Sequence, residues 1–204
     1  MNLREKSIVE FTELIASTAP APGGGGASAA VGAMAVALGN MVGTFTVGKK
    51  KYADVEEEMQ RLMAQCENIR MSFLELIDED AENFIPLSKA YGIPKDALGR
   101  DEELERCLRL AAEAPRKMMI LCCEVLDILD QFARKGSKLM ISDAATGTAF
   151  CKAALQGAVV NIKVNTKLMK DRAYAENVNE SVETMFALAC EKADRIFNFV
   201  YEQL

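Results

Sequence analysis

Residues 27–48, ASAAVGAMAVALGNMVGTFTVG, run for 22 positions without a charged side chain and stop at Lys49, Lys50 and Lys51. Length and a cationic flank are what a membrane span needs. Gly39 and Gly43 add a small-xxx-small pair of the kind that lets membrane helices touch. The composition argues otherwise. The stretch is mostly Ala and Gly, and Asn40, Thr44 and Thr46 interrupt it. A helix of this kind is expected to be buried on every side, in a helical bundle or at the centre of a dimer, and not in a membrane. Its glycines would let neighbouring backbones come close. Pro20, Pro22 and four consecutive glycines, Gly23 to Gly26, precede it, and Ser28 is placed to cap it.

The flanking sequence is amphipathic. Leu3, Ile8, Phe11, Leu14 and Ile15 make a helical stripe over residues 3–18. Over residues 52–91, Val55, Met59, Leu62, Cys66, Ile69, Phe73, Ile77, Ala81 and Phe84 recur at spacings of mostly four and three, and Pro86 is expected to end or kink that helix. Residues 92–99 read as a connection. A second long pattern runs from Asp101 through Leu104, Leu108, Ala111, Met118, Cys122, Val125, Leu129 and Phe132, with Pro115 expected to kink or break it and Gly136 to terminate it. Ser142-Asp143 looks like a fresh helix start, and that helix reaches about Lys170. Val182, Phe186, Ala189, Ala193, Ile196 and Val200 mark the last one. No alternating strand pattern competes. The predicted fold is all-α: a single domain over 1–204, a bundle of long antiparallel helices around the Gly/Ala-rich helix, and dimeric.

Charge and missing residue types narrow the chemistry. The 204 residues carry 24 Lys and Arg against 30 Asp and Glu, a net charge of −6, which disfavours a general nucleic-acid binder. There is no histidine. Ser-His-Asp and Cys-His catalysis and histidine metal sites are therefore excluded, and proton transfer falls to carboxylates, Lys, Tyr, Cys or water. The six cysteines contain no C-x-x-C pair and sit mostly among apolar residues, which suits reduced thiols acting as small hydrophobes. The opening MNLREKSIVEF lacks the order of a secretory signal. A cytoplasmic protein without a metal site is expected.

Four groups of residues can carry chemistry. The glycine run ahead of a helix leaves free backbone N–H groups suited to a carboxylate or phosphate, or serves as a turn or a close crossing. Lys49, Lys50 and Lys51 form either a solvated helix end or a local anion site. Asp78, Glu79, Asp80 and Glu82 form either a solvated acidic turn of helix, which the segment alone favours, or a place where Asp80, near the apolar stripe, is partly desolvated and its pKa raised toward acid/base use. Asn161 and Asn165 are an i, i+4 pair beside Val159, Val160 and Val164, available for a helix contact or a ligand. Asp143 lies five turns before Asn161 on one helix face, about 27 Å away, so the two serve opposite ends of a long ligand or sites shared across a dimer.

In combination these stretches have a family look. Ala21-Pro22-Gly23-Gly24-Gly25, the small-residue helix, Thr46-Val47-Gly48-Lys49-Lys50-Lys51-Tyr52, Asp78-Glu79-Asp80-Ala81-Glu82-Asn83-Phe84, Ser142-Asp143 and the Asn161/Asn165 spacing resemble the cyclodeaminase/cyclohydrolase family of folate enzymes. That family includes the C-terminal half of formiminotransferase-cyclodeaminase and free-standing methenyltetrahydrofolate cyclohydrolases. The likeness spans nearly the whole chain in order, with one departure: Gly26 stands where the family commonly has Ser.

The resemblance implies an all-helical homodimer acting on one-carbon tetrahydrofolates without metal or redox cofactor. The first expectation is a cyclohydrolase. The second is a cyclodeaminase. A non-catalytic folate-binding or structural helical dimer is the alternative of another class. Asp80 and Asp143 are the expected acid/base groups. Gly23, Gly24, Gly25, Asn161 and Asn165 are expected to bind the pterin or the tail, and Lys49, Lys50 and Lys51 the anionic, polyglutamylated tail.

Overall fold

In the computed structural model, which describes residues 2–204, every regular element is a helix. The helices are α1 (Ile8–Ile15), α2 (Gly24–Thr44), α3 (Glu56–Ala90), α4 (Arg100–Ala111), α5 (Glu113–Lys135), α6 (Ile141–Leu168) and α7 (Arg172–Tyr201). Three short 3-10 turns join them, at Leu3–Glu5, Lys50–Val55 and Lys138–Met140.

The N-terminal stripe is split. Ser7 closes a capping box with Glu10, so α1 starts at Ile8 and is separate from the turn at Leu3. The glycine run also departs from expectation. It is helical, with Gly23 as the extended N-cap and Gly24, Gly25 and Gly26 as the first turn. Ser28 does not cap the helix; its hydroxyl donates back to the Gly24 carbonyl at 2.7 Å. Pro86 does not end α3, which continues to Ala90. An internal proline costs about 3 kcal/mol, and the burial of Leu87 and Ala90 beyond it offsets that loss. The pattern around Pro115 does divide in two. The break falls at Ala112, and Pro115 sits in the first turn of α5, where no helical carbonyl needs its missing N–H.

The glycines of α2 set its packing. A Cβ on Gly32 would lie 2.5 Å from Phe73, and one on Gly43 would lie 2.6 Å from Met63. Ascending positions on α2 thus meet descending positions on α3. On the other flank Gly147 of α6 sits against the Ala35 carbonyl, where a Cβ would come to 3.0 Å. Leu126, Leu129 and Phe132 of α5, Leu155 and Ile162 of α6 and Ile196 of α7 complete the core around it. A smaller apolar cluster joins the end of α3 to α4 and the α6–α7 turn through Leu87, Leu108, Ala111 and Met169.

Within one chain α2 is not buried on every side. It packs on α3, α5 and α6, but Met34, Met41 and Phe45 remain about two-fifths exposed (42%, 39% and 44%). Phe150, Val160, Val164 and Leu168 of α6 are exposed as well. By length and composition α2 is apolar enough to cross a membrane, yet half of it is buried against its neighbours. The lysines do not cap it. Thr46 is buried, donates to the Val42 carbonyl at 2.7 Å and accepts from the Ser137 amide at 2.8 Å. Tyr52 accepts from the Lys138 amide at 3.1 Å. These bonds fasten the lysine segment to the turn that precedes α6.

Candidate active site

Three helix ends and faces converge where α2 begins. Its first turn carries the glycines, whose amides have no partner within the helix. The wall from α3 is built by three consecutive acids with different tasks. Asp78 accepts from the Leu3 amide at 2.6 Å and lies 3.5 Å from the Arg4 guanidinium, which holds the N-terminal segment down. Glu79 pairs with Lys117 of α5 at 2.7 Å. Asp80 turns to the glycines. Its carboxylate fills the place where Gly25 lacks a side chain, since a Cβ there would lie 2.1 Å from Oδ1.

Burial pushes the Asp80 carboxyl up to about 6. The Gly26 amide facing it holds the rise back, and the neighbouring Glu79 charge adds to it. Such a group exchanges its proton near neutral pH, as acid/base catalysis requires. α6 supplies the opposite wall. Asn161 lies against Gly24, with its Nδ2 3.3 Å from the position a Cβ would take. The Asn161 amide donates to the Gly157 carbonyl at 2.8 Å, and the Asn165 amide donates to the Asn161 carbonyl at 2.9 Å. Neither bond crosses to another helix. Together these groups line a cleft of about 160 Å³, closed by Pro20 and Ala21 on one side and Phe84, Ala111 and Val164 on the other.

Asp80, Gly23, Gly24, Gly25, Asn161 and Asn165 therefore come together in one cleft. Asp143, Lys49, Lys50 and Lys51 do not line it. Asp143 is in the first turn of α6, about 27 Å along the helix from Asn161. The lysines follow the far end of α2, beyond 21 helical residues. Ser28 does not stand in for the hydroxyl missing at Gly26, because it faces Gly157, whose added Cβ would lie 2.1 Å from Ser28 Oγ. Phe84, Ala111 and Val164 line the cleft too. The sequence marks Phe84 and Ala111 as apolar-stripe positions and Val164 as a neighbour of the asparagines, but nothing in it assigns them to the site.

Fold and cleft define an all-helical protein with a part-buried carboxyl group set against a glycine-built helix start. Residues 7–184 match the sequence profile of the family described as formiminotransferase-cyclodeaminase. The chain belongs to that family. It is 36% identical over 199 residues to a methenyltetrahydrofolate cyclohydrolase of Methylorubrum extorquens, covering 96% of both chains. It is 29% identical to a formimidoyltransferase-cyclodeaminase of Dictyostelium discoideum, covering 97% of this chain but 37% of that longer protein. The crystal structure of formiminotetrahydrofolate cyclodeaminase from Thermotoga maritima superposes with a TM-score of 0.90 at 32% identity, over 98% of each chain.

Proposed function

We propose that this chain is a methenyltetrahydrofolate cyclohydrolase, converting 5,10-methenyltetrahydrofolate and water to 10-formyltetrahydrofolate and a proton. The observation that carries the reading is Asp80, a carboxyl group poised near pH 6 at the mouth of a cleft built for close backbone approach. The end-to-end likeness to a cyclohydrolase supports it. The substrate is a cationic amidinium and already electrophilic. Asp80 takes a proton from water as the oxygen bonds the bridging carbon. It returns that proton to N5 as the carbon–N5 bond breaks, and the hydroxyl proton leaves to solvent as the formyl group forms. The glycine amides and the Asn161 and Asn165 amides hold the polar edges of the substrate. The reaction needs no metal or redox cofactor.

The likeness to a solved cyclodeaminase favours a second reading, closure of 5-formiminotetrahydrofolate with loss of ammonia. Purified protein should bleach the methenyl chromophore without any formimino substrate. Ammonia release with no bleaching would replace the first reading with the second. Folate binding with neither reaction would overturn both.

The same reading makes the protein a cytoplasmic homodimer with shared sites. A 160 Å³ cleft is too small for a whole folate, and the open face of α2 and α6 carries Met34, Met41, Phe45, Phe150, Val160 and Val164. Antiparallel pairing of two such faces sets the lysine and Asp143 end of one chain over the glycine end of the other. Partner Lys49, Lys50 and Lys51 then attract the polyglutamate tail, and Asp143 offers a second carboxylate. Mixing inactive Asp80→Asn protein with an inactive variant lacking the three lysine charges should restore about a quarter of wild-type activity, one intact site among the four possible in a random mixture. Verified heterodimers without any recovery would place the whole site in one subunit.

A further inference from the structure

Asp80 is the one charged side chain lining the cleft, but it has a charged neighbour on its own helix. Glu79 precedes it, and successive residues of a helix point about 100° apart. Asp80 is turned to Gly25 and Gly26 of α2, and Glu79 is turned to α5. There Glu79 Oε1 accepts from Lys117 Nζ at 2.7 Å and from the Asn83 amide at 3.5 Å. Lys117 is half exposed, and Glu79 is one-third exposed.

The other charges around Asp80 are engaged elsewhere. On α3, Asp78 serves the Leu3 amide and Arg4, and Glu82 is exposed. The helix α2 carries no charged residue. On α6, Lys163 stands between the two asparagines in sequence but pairs with Glu183 of α7, and Lys167 is exposed. Beside Ala111, Arg109 of α4 holds Glu105 and Asp171, and Glu113 of α5 lies 3.7 Å from Arg116. Among these charges Glu79 acts on the Asp80 carboxyl, and a like charge opposes its ionisation.

Resting on the cyclohydrolase reading, we propose that Lys117 is a positioning residue for the reaction: it draws the Glu79 carboxylate to the α5 side and balances its charge, so that no second negative charge bears on Asp80 at the cleft. The consequence is a pH window. Without Lys117, the Glu79 charge is unanswered, and a higher pH is needed before Asp80 can accept a proton from water.

The test is the pH profile of methenyltetrahydrofolate turnover. Lys117→Met should move its acid limb up from about 6 by roughly half a unit to one unit, the effect of one unbalanced carboxylate at a neighbouring, partly exposed position. At pH 6 the rate should fall by roughly twofold to fivefold, and above about pH 8.5 it should converge on wild type. Lys117→Arg, which keeps the charge, should follow wild type throughout. Adding Glu79→Gln to Lys117→Met should abolish the upward shift, because Lys117 acts through Glu79. A limb unmoved in Lys117→Met, or an upward shift that persists in the double variant, would overturn the proposal and leave the pair a tie between α3 and α5. Carbon-13 NMR of labelled aspartate, with the Asp80 signal assigned by its loss in Asp80→Asn, reads the same titration without turnover. Wild-type protein inactive at every pH would overturn the reaction, whereas an unmoved NMR titration would overturn the role of Lys117, so the two failures are distinct.

Discussion

Replacing Asp80 with Asn should silence turnover and make the protein harder to melt at pH 8. The kinetic half follows from its place in the cleft. A positioned acid/base group contributes about 10²–10⁴-fold, and with no histidine in the chain no other group in the cleft titrates near neutrality. The rate of the wild-type enzyme should also rise with pH through about 6, as Asp80 loses its proton and becomes able to accept one from water.

The stability half follows from the sign of the shift. The Asp80 pKa is raised from 3.8 to about 6, so the folded chain holds this proton more tightly than the unfolded chain. Its contribution to stability is complete below pH 4 and is lost as pH rises through 6. At 1.36 kcal/mol per unit the loss would approach 3 kcal/mol, and partial exposure of the residue reduces it to about 2 kcal/mol. Asn carries no such penalty and still accepts a bond from the Gly26 amide. A melting temperature higher by roughly 4–8 °C at pH 8, and no difference near pH 4, is the expected pair of measurements for a chain of this size. Equal melting at both pH values would show that Asp80 is not desolvated. Near-wild-type turnover would remove it from the mechanism.

Gly25→Ala should have the second large effect. Its methyl group would sit 2.1 Å from Asp80 Oδ1 and 2.5 Å from Cγ, so the carboxyl group must leave its seat or the start of α2 must move. Displacing a reacting group by about 1 Å can cost on the order of a hundredfold in rate. Fold stability should change much less. Alanine is better than glycine in a helix by about 1 kcal/mol, which offsets overpacking of about 1–3 kcal/mol. Steady-state kinetics and a thermal melt on the same preparation separate the two effects. Retention of more than a third of wild-type kcat would mean that the carboxyl group works from elsewhere.

These two residues also show what a sequence can reveal. The all-helical fold was legible because spacings of four and three persist along every long segment, and because the one segment without amphipathicity is made of small residues. Asp80 was legible as the acid nearest the apolar stripe, and Asn161 and Asn165 as amides on an apolar face. The link from Gly25 to Asp80 was not legible, because it rests on a side chain that is absent. The separation of Lys49, Lys50, Lys51 and Asp143 from the cleft depends on the directions of α2 and α6, and a list of motifs in chain order carries no such information. Ser28 misled for a local reason: its hydroxyl is satisfied one turn back, inside a helix that starts five residues earlier than a serine cap would suggest.

The 21 residues of α2 between its glycine start and the lysine segment have one more consequence. The helix acts as a ruler with a phase. Adding or removing one residue would lengthen or shorten it by about 1.5 Å and rotate one end against the other by about 100°. Gly25 would then swing away from Asp80, or Thr46 from the Ser137 amide. Substitutions along its outward stripe leave that registration intact, whereas insertions and deletions do not. Variation in this family member's ancestry should therefore have exchanged one apolar side chain for another there and left the length frozen.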